Sequence, residues 1–150
     1  MIARYICLLG VLIAFSCKSQ KANTKMEASN NELQLVLEDS YFPVEEKQAM
    51  VIRDEKSLMA FFSKVNQTRK PGLPVPDIDF DNEMAVIVCA GALKGSRMPH
   101  PEKKQESEES YDIVIKNRPA NQNVGKEVVI YPFSVYKMPK TDKKIDFHWQ

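Results

Sequence analysis

The sequence predicts an α+β fold that is mainly β, in which an antiparallel sheet curls into a sandwich or partial barrel and one helix packs on it. Three observations predict this class. Short apolar segments with partial period-two alternation recur along the chain. Only one segment has helical periodicity, and no alternation of strands with further helices follows it. The 150 residues, 43% of them hydrophobic and 27% charged, suffice for one ordinary globular domain.

The segment 1–16 has the layout of a secretory signal. Arg4 precedes an apolar run at 6–15, which is about half the ~20 residues that a membrane-spanning helix needs. The segment 13–17 resembles a bacterial lipobox, although a phenylalanine stands where a smaller residue is more common. The resemblance implies that Cys17 is lipidated and anchors the protein to a membrane. The alternatives are signal cleavage without lipidation and a buried N-terminal helix.

Residues 17–32 are predicted to carry the lipid anchor and a flexible tether, and 33–150 to form a single globular domain. The tether is rich in Lys, Asn, Ser and Gln and has almost no large apolar side chain. It has no acidic residue before Glu27. A basic rather than acidic stretch after the cysteine favours the outer membrane of a Gram-negative bacterium, with the domain facing the periplasm.

Charge and cysteine content narrow the class of partner. Arg4 is the only charged residue of the signal, so the mature chain keeps all 20 acidic residues and one basic residue fewer than the full 21. Its side-chain charge is therefore zero, and no global field favours nucleic acid. Cys7 leaves with the signal and Cys17 carries the lipid. Only Cys89 remains in the domain, so no intramolecular disulfide can form.

One helix is predicted at about residues 55–66. Asp54 can cap its N-terminus, because a carboxylate accepts hydrogen bonds from the free N–H groups of the first turn. Four apolar side chains recur at i, i+3, i+4 and i+7 and share one face, and these are Leu58, Phe61, Phe62 and Val65. This face is expected to pack on the sheet, so the two aromatic rings are predicted as core rather than as a ligand site.

Seven segments are predicted as strands. The most apolar of them, at 83–93, is predicted as the central strand, buried on both faces. The proline-rich connector at 69–76 can be neither helix nor central strand. The mixed-charge segment 98–110 is predicted as a solvated loop. The other six strands are predicted at 33–38, 49–52, 111–115, 127–131, 133–136 and 145–149.

Few residues suggest catalysis, and the sequence predicts no enzyme, no cofactor and no metal. His100 and His148 lack the spacing of zinc ligands. Cys89 lies inside the apolar run, where a thiol is buried and protonated. Ser96 is not part of a Gly-x-Ser-x-Gly elbow and is predicted as a polar loop residue. There is no glycine-rich phosphate loop and no basic stripe with interleaved aromatics.

The acidic cluster 77–83 has the D-x-D-x-D beginning of a calcium loop. It departs from the motif at the sixth position, where Asn82 replaces glycine, and at the twelfth, where Val88 replaces glutamate. Its alternation with Ile78 and Phe80 instead predicts an extended entry to the central strand, with both apolar side chains directed inward.

Segments from the helix onward follow the order of a known family. They are Ser57-Leu58, Ile78-Asp79-Phe80, Glu83 to Val88, Gly91, Tyr111 to Ile115, Tyr131 to Pro139 and Ile145 to Phe147. Together they resemble the C-terminal domain of PrcB-like lipoproteins, which are protease complex subunits, over about residues 53–147. The chain departs from the family at Glu109-Ser110-Tyr111, where Gly-Gly-Tyr is usual. Glycines there would allow a positive φ or close approach by a partner.

The resemblance implies a non-catalytic envelope lipoprotein that binds or stabilises another protein, in the best-known member a secreted protease. The exposed sheet ends near Tyr111 and near Pro132 and Phe133 are the expected contact surface. Two alternatives stay open, a carrier of a small apolar ligand or glycan and an enzyme with an unrecognised site. A large apolar cavity would favour the carrier. Carboxylates within reach of His100 or His148 in a cleft would favour the enzyme.

Overall fold

A computed structural model describes residues 32–120 and 125–150. The predicted signal, the predicted lipidation site Cys17 and the predicted tether as far as Asn31 lie outside the described residues. Strands dominate the described part, which confirms the predicted mainly β, α+β class. In chain order its elements are β1 (Gln34–Asp39), β2 (Gln48–Ile52), α1 (Glu55–Val65), a 3₁₀ turn (Asn66–Thr68), β3 (Glu83–Cys89), β4 (Leu93–Lys94), β5 (Arg97–Glu106), β6 (Ser110–Pro119), β7 (Val129–Ile130), β8 (Phe133–Pro139) and β9 (Lys144–Trp149).

The main elements form three layers, namely α1, a four-stranded sheet and a three-stranded sheet. The four-stranded sheet has the order β1-β8-β3-β2 and is antiparallel throughout. The three-stranded sheet has the order β5-β6-β9, with β9 parallel to β6. Strands β4 and β7 form a separate two-stranded ribbon. The sheets pack without closing into a barrel, so the fold is a sandwich with one helix on its outer face.

The central strand β3 is buried on both faces, as predicted. It lies between β8 and β2, and its alternate side chains enter two different hydrophobic cores. Burial on both faces explains why its sequence is almost continuously apolar. The side chains toward α1 are Ala85, Ile87 and Cys89, and those toward the three-stranded sheet are Met84, Val86 and Val88. The strand ends at Cys89, four residues before the predicted end.

Helix α1 confirms both the predicted cap and the predicted buried face. The Asp54 carboxylate accepts hydrogen bonds from the Ser57 backbone N–H at 2.8 Å and from the Ser57 hydroxyl at 2.7 Å. These bonds lower the pKa of Asp54 below its usual value. All four apolar side chains of the predicted stripe are buried. Beyond α1, the Asn66 side chain binds both backbone groups of Leu73 and so holds the proline-rich connector against the helix end.

The prediction of a solvated loop at 98–110 is wrong, because most of this segment is the edge strand β5, which pairs with β6. A hydrogen bond from Ala120 N to Ser96 O at 3.0 Å continues this ladder. The backbone N–H and C=O groups of even-numbered residues in this part of β5 therefore point toward β6. The backbone groups of Pro99 and Pro101 therefore face away from β6, where a missing N–H breaks no ladder bond, and the Pro99 C=O accepts from the buried Ser134 hydroxyl at 2.7 Å. Their placement reconciles prolines with a strand.

The turn between β5 and β6 needs no glycine. Ser107 N donates to Ser110 O at 2.8 Å, and the Ser107 hydroxyl accepts from Ser110 N at 2.9 Å. Among the described residues, positive φ angles occur only at Gly91 and Gly95. Glu109 and Ser110 therefore occupy this turn without a left-handed backbone conformation. Other differences from prediction are small: the strand predicted at 127–131 is reduced to β7, and β6 continues to Pro119.

Candidate binding groove

The three residues predicted to contact a partner are buried. Tyr111 is 1% exposed and Phe133 0%, and Pro132 is also buried. Tyr111 packs between the two sheets, and the Phe133 ring lies in the core beneath α1, 5.6 Å from the ring of Phe61. None of these three side chains is therefore exposed to a partner, and the expected contact at the sheet ends near them stays a prediction. They lie near strand ends, but their side chains point inward.

The two histidines lie apart from each other, each near a carboxylate. His100 Nδ1 lies 2.8 Å from the Tyr136 hydroxyl, and its Nε2 lies 3.8 Å from a Glu102 oxygen. Burial, followed by the nearby Arg118 charge, lowers the pKa of His100. His148 lies at the surface, 3.5 Å from Asp112. Within 32–120 and 125–150, no three His, Cys, Asp or Glu side chains are grouped to hold a metal ion.

Cys89 has the predicted buried position. It is a free thiol, 1% exposed, on the side of β3 that faces α1. Burial raises its pKa to about 12, so the thiol stays protonated at neutral pH. A protonated thiol is a poor nucleophile and a poor metal ligand. Its contribution is packing.

A groove of about 480 Å³ lies between the first two turns of α1 and the segment that leads into β3. Its apolar lining includes two buried side chains, Leu58 and Ile78, and the partly buried Phe80. Ile78 is buried and Phe80 is partly buried, which confirms the predicted inward direction of these side chains. The predicted extended conformation is wrong for the end of the segment, because residues 80–82 form a turn in which Asn82 N donates to Asp79 O at 3.0 Å. Met59 and Val75 also line the groove and are 54% and 41% exposed. These two side chains give the groove an accessible apolar surface.

Four carboxylates line the same groove, and none of the described residues adds a basic side chain to its lining. Asp79 is held within its turn, because its carboxylate accepts bonds from the Asn82 side chain at 2.8 Å and from Asp81 N at 3.1 Å, which lower its pKa. The other three, Glu55, Asp77 and Asp81, form no ion pair with any described residue. The groove therefore combines apolar surface with unpaired negative charge.

The sequence indicated the acidic residues of this groove but not its exposed apolar residues. The acidic residues at 77–81 stood out, but as an imperfect calcium motif. Met59 and Val75 gave no signal, because an exposed methionine in a helix and a valine between prolines are common in any protein. Only the fold brings both apolar residues beside the carboxylates.

No protein-family model, no curated protein and no solved structure matches this chain. The resemblance to PrcB-like lipoproteins thus stays a prediction from the sequence. Among the described residues, no helix is long and apolar enough to cross a membrane.

Proposed function

We propose that this chain is a lipid-anchored envelope module that binds another protein and catalyses no reaction. The observation that carries the proposal is the groove beside α1, with its exposed apolar side chains and three unpaired carboxylates. An acidic, apolar groove is complementary to a protein segment that presents apolar side chains next to lysine or arginine.

The unpaired carboxylates favour a protein partner over the alternative of an apolar carrier. A small apolar ligand in the groove would desolvate Glu55, Asp77 or Asp81 without providing a hydrogen bond or a counter-charge, which is unfavourable. A glycan has hydroxyl donors for these carboxylates, so this cost does not apply to it. A cationic segment would offset that cost. The resemblance to PrcB-like lipoproteins adds the expectation that the partner is an envelope or secreted protein such as a protease. The carrier and the enzyme stay as alternatives.

Anchoring is the first testable part of the proposal. In cells supplied with a labelled fatty acid, the wild-type chain is expected to incorporate label and to fractionate with the outer membrane. Cys17→Ala removes the acceptor sulfur and should abolish the label. Cys7→Ala, within the predicted signal, is the matched control and should keep it. An unlabelled wild-type chain, or a labelled Cys17→Ala variant, contradicts the lipid anchor.

The groove is tested by crosslinking in the cell envelope, followed by mass spectrometry. The wild-type chain is expected to yield a reproducible protein partner. The double variant Asp77→Lys/Asp81→Lys reverses two charges of the groove and should reduce its recovery about tenfold or more, because like charges now face the partner. Both residues are exposed, so the fold should survive.

Glu108→Lys/Glu109→Lys is the matched control, since it reverses two exposed charges in the turn between β5 and β6. This variant should recover the partner as well as the wild type. Equal recovery with both double variants contradicts the groove as the contact site. The absence of any partner of the wild-type chain contradicts the proposed function itself.

A further inference from the structure

The edges of the two larger sheets differ in how they are protected. An edge strand exposes unpaired N–H and C=O groups, and proteins block such edges with bulges, prolines or charges. Strand β1 has a bulge, β5 carries Pro99 and Pro101, and β9 carries Lys144 and Asp146. Strand β2 has no bulge, no proline and no charged residue from Gln48 to Ile52. It is the one edge of these four with none of these protections.

The direction of the free groups on β2 follows from the ladder on the other side of β3. Lys140 N donates to Asn82 O at 2.8 Å, and Ala90 N donates to Pro132 O at 3.0 Å. These bonds continue the β3–β8 ladder at both ends. The N–H and C=O groups of successive residues point to opposite sides of a strand. The backbone groups of the even-numbered residues of β3 therefore point toward β8. Its odd-numbered residues point to β2.

The register between β2 and β3 then identifies the exposed backbone groups. Met50 lies opposite Ile87. The backbone N–H and C=O groups of Gln48, Met50 and Ile52 therefore point toward β3. Ala49 and Val51 direct their N–H and C=O groups away from the sheet. No backbone hydrogen bond from the described residues reaches either of them. The outer edge of β2 therefore offers two donors and two acceptors.

We propose that β2 accepts an extended segment of another protein as an added strand of the four-stranded sheet. Charges on both sides of β2 define the chemistry of that segment. Glu46 and Lys47 precede the strand, and Arg53 and Asp54 follow it, so the signs are negative, positive, positive and negative. Lys47 also lies over the Trp149 ring, Arg53 donates to Thr141 O and Asp54 caps α1, but none of these contacts neutralises the charge. The complementary segment has five uncharged residues with an acidic residue on each side and a basic residue beyond each acid. This pattern is the same in either strand direction.

A second copy of this chain fits the edge poorly. Antiparallel pairing that overlaps all five residues of β2 would place Lys47 opposite Arg53 and Glu46 opposite Asp54. Like charges directly opposite each other destabilise a strand pair. The flanking charges therefore disfavour self-association and favour a different protein. No residue of β2 lines the groove beside α1, so the two surfaces can be tested separately.

Two synthetic peptides of identical composition test the proposal with the full chain purified in detergent. The complementary peptide is Lys-Glu-Thr-Val-Thr-Val-Thr-Glu-Lys, and the control is Glu-Lys-Thr-Val-Thr-Val-Thr-Lys-Glu. By fluorescence anisotropy, the complementary peptide is expected to bind at least about tenfold more tightly, since four opposite-charge pairs replace four like-charge pairs. Lys47→Glu should reduce this preference. Equal binding, or no binding of either peptide, overturns the proposal.

A backbone variant tests whether the peptide adds as a strand. Ala49→Pro removes one outward N–H but no bond to β3, and it should weaken the complementary peptide about tenfold. Ala49→Ser keeps that N–H and should bind as the wild type does. Equal binding by the two variants overturns strand addition. A dimer of the wild-type chain that Ala49→Pro dissociates would assign the edge to a second copy and also overturn the proposal.

Discussion

Phe62→Ala is expected to lower the free energy of unfolding by about 3–5 kcal/mol, because it removes a buried ring and leaves a cavity between α1 and the four-stranded sheet. Phe62 is 1% exposed, and its ring lies 5.6 Å from that of Phe61 in an edge-to-face contact. The loss is a large part of the roughly 5–15 kcal/mol that stabilises an ordinary domain. Equilibrium unfolding in urea, followed by circular dichroism, measures it.

Met59→Ala is the control on the same helix. Met59 is 54% exposed, so its truncation leaves no internal cavity and should change the free energy of unfolding by less than about 0.5 kcal/mol. A cost below about 1 kcal/mol for Phe62→Ala would contradict the packing of α1 on the sheet. Similar costs for the two variants would contradict the assignment of its buried face.

Local features were predictable from the sequence where one segment contains the whole signal. Helix α1 is the clearest case, because the Asp54 cap and the four-residue apolar stripe lie within twelve residues. The central strand β3 was predictable for the same reason, since burial on both faces leaves a continuous apolar run. Such elements depend little on which strands become their neighbours.

Strand β5 could not be predicted, because its identity depends on pairing. Two prolines and several charges are typical of a loop, and only the pairing with β6 shows that the backbone groups of both prolines face away from that strand. The parallel pairing of β9 with β6 is likewise a property of the whole fold. Tyr111 and Phe133 show a related limit. Their positions near strand ends were predictable, but the direction of each side chain follows from register, which no single segment reveals.

The turn after β3 contains a constraint that depends on the three-dimensional fold. Gly91 has a φ of +66° and is buried against the segment that leads into β2. A Cβ at Gly91 would lie 2.4 Å from the backbone oxygen of Glu45, which cannot move without displacing that segment. Gly95 has a similar φ of +77°, but a Cβ there would lie no closer than 3.7 Å to any atom of the described residues. A comparison of substitutions at the two glycines therefore distinguishes the cost of backbone strain from the cost of steric overlap.

Gly91→Ala is expected to lower the free energy of unfolding by about 3 kcal/mol or more. The left-handed conformation costs about 1–2 kcal/mol for a residue with a Cβ, and the overlap with the Glu45 oxygen adds to it. Gly95→Ala carries only the conformational cost and should lose about 1–2 kcal/mol. Urea unfolding of both variants measures the difference. Equal losses of unfolding free energy would mean that the backbone at Glu45 moves aside at no cost. This result would contradict a rigid contact between the segment before β2 and the turn after β3.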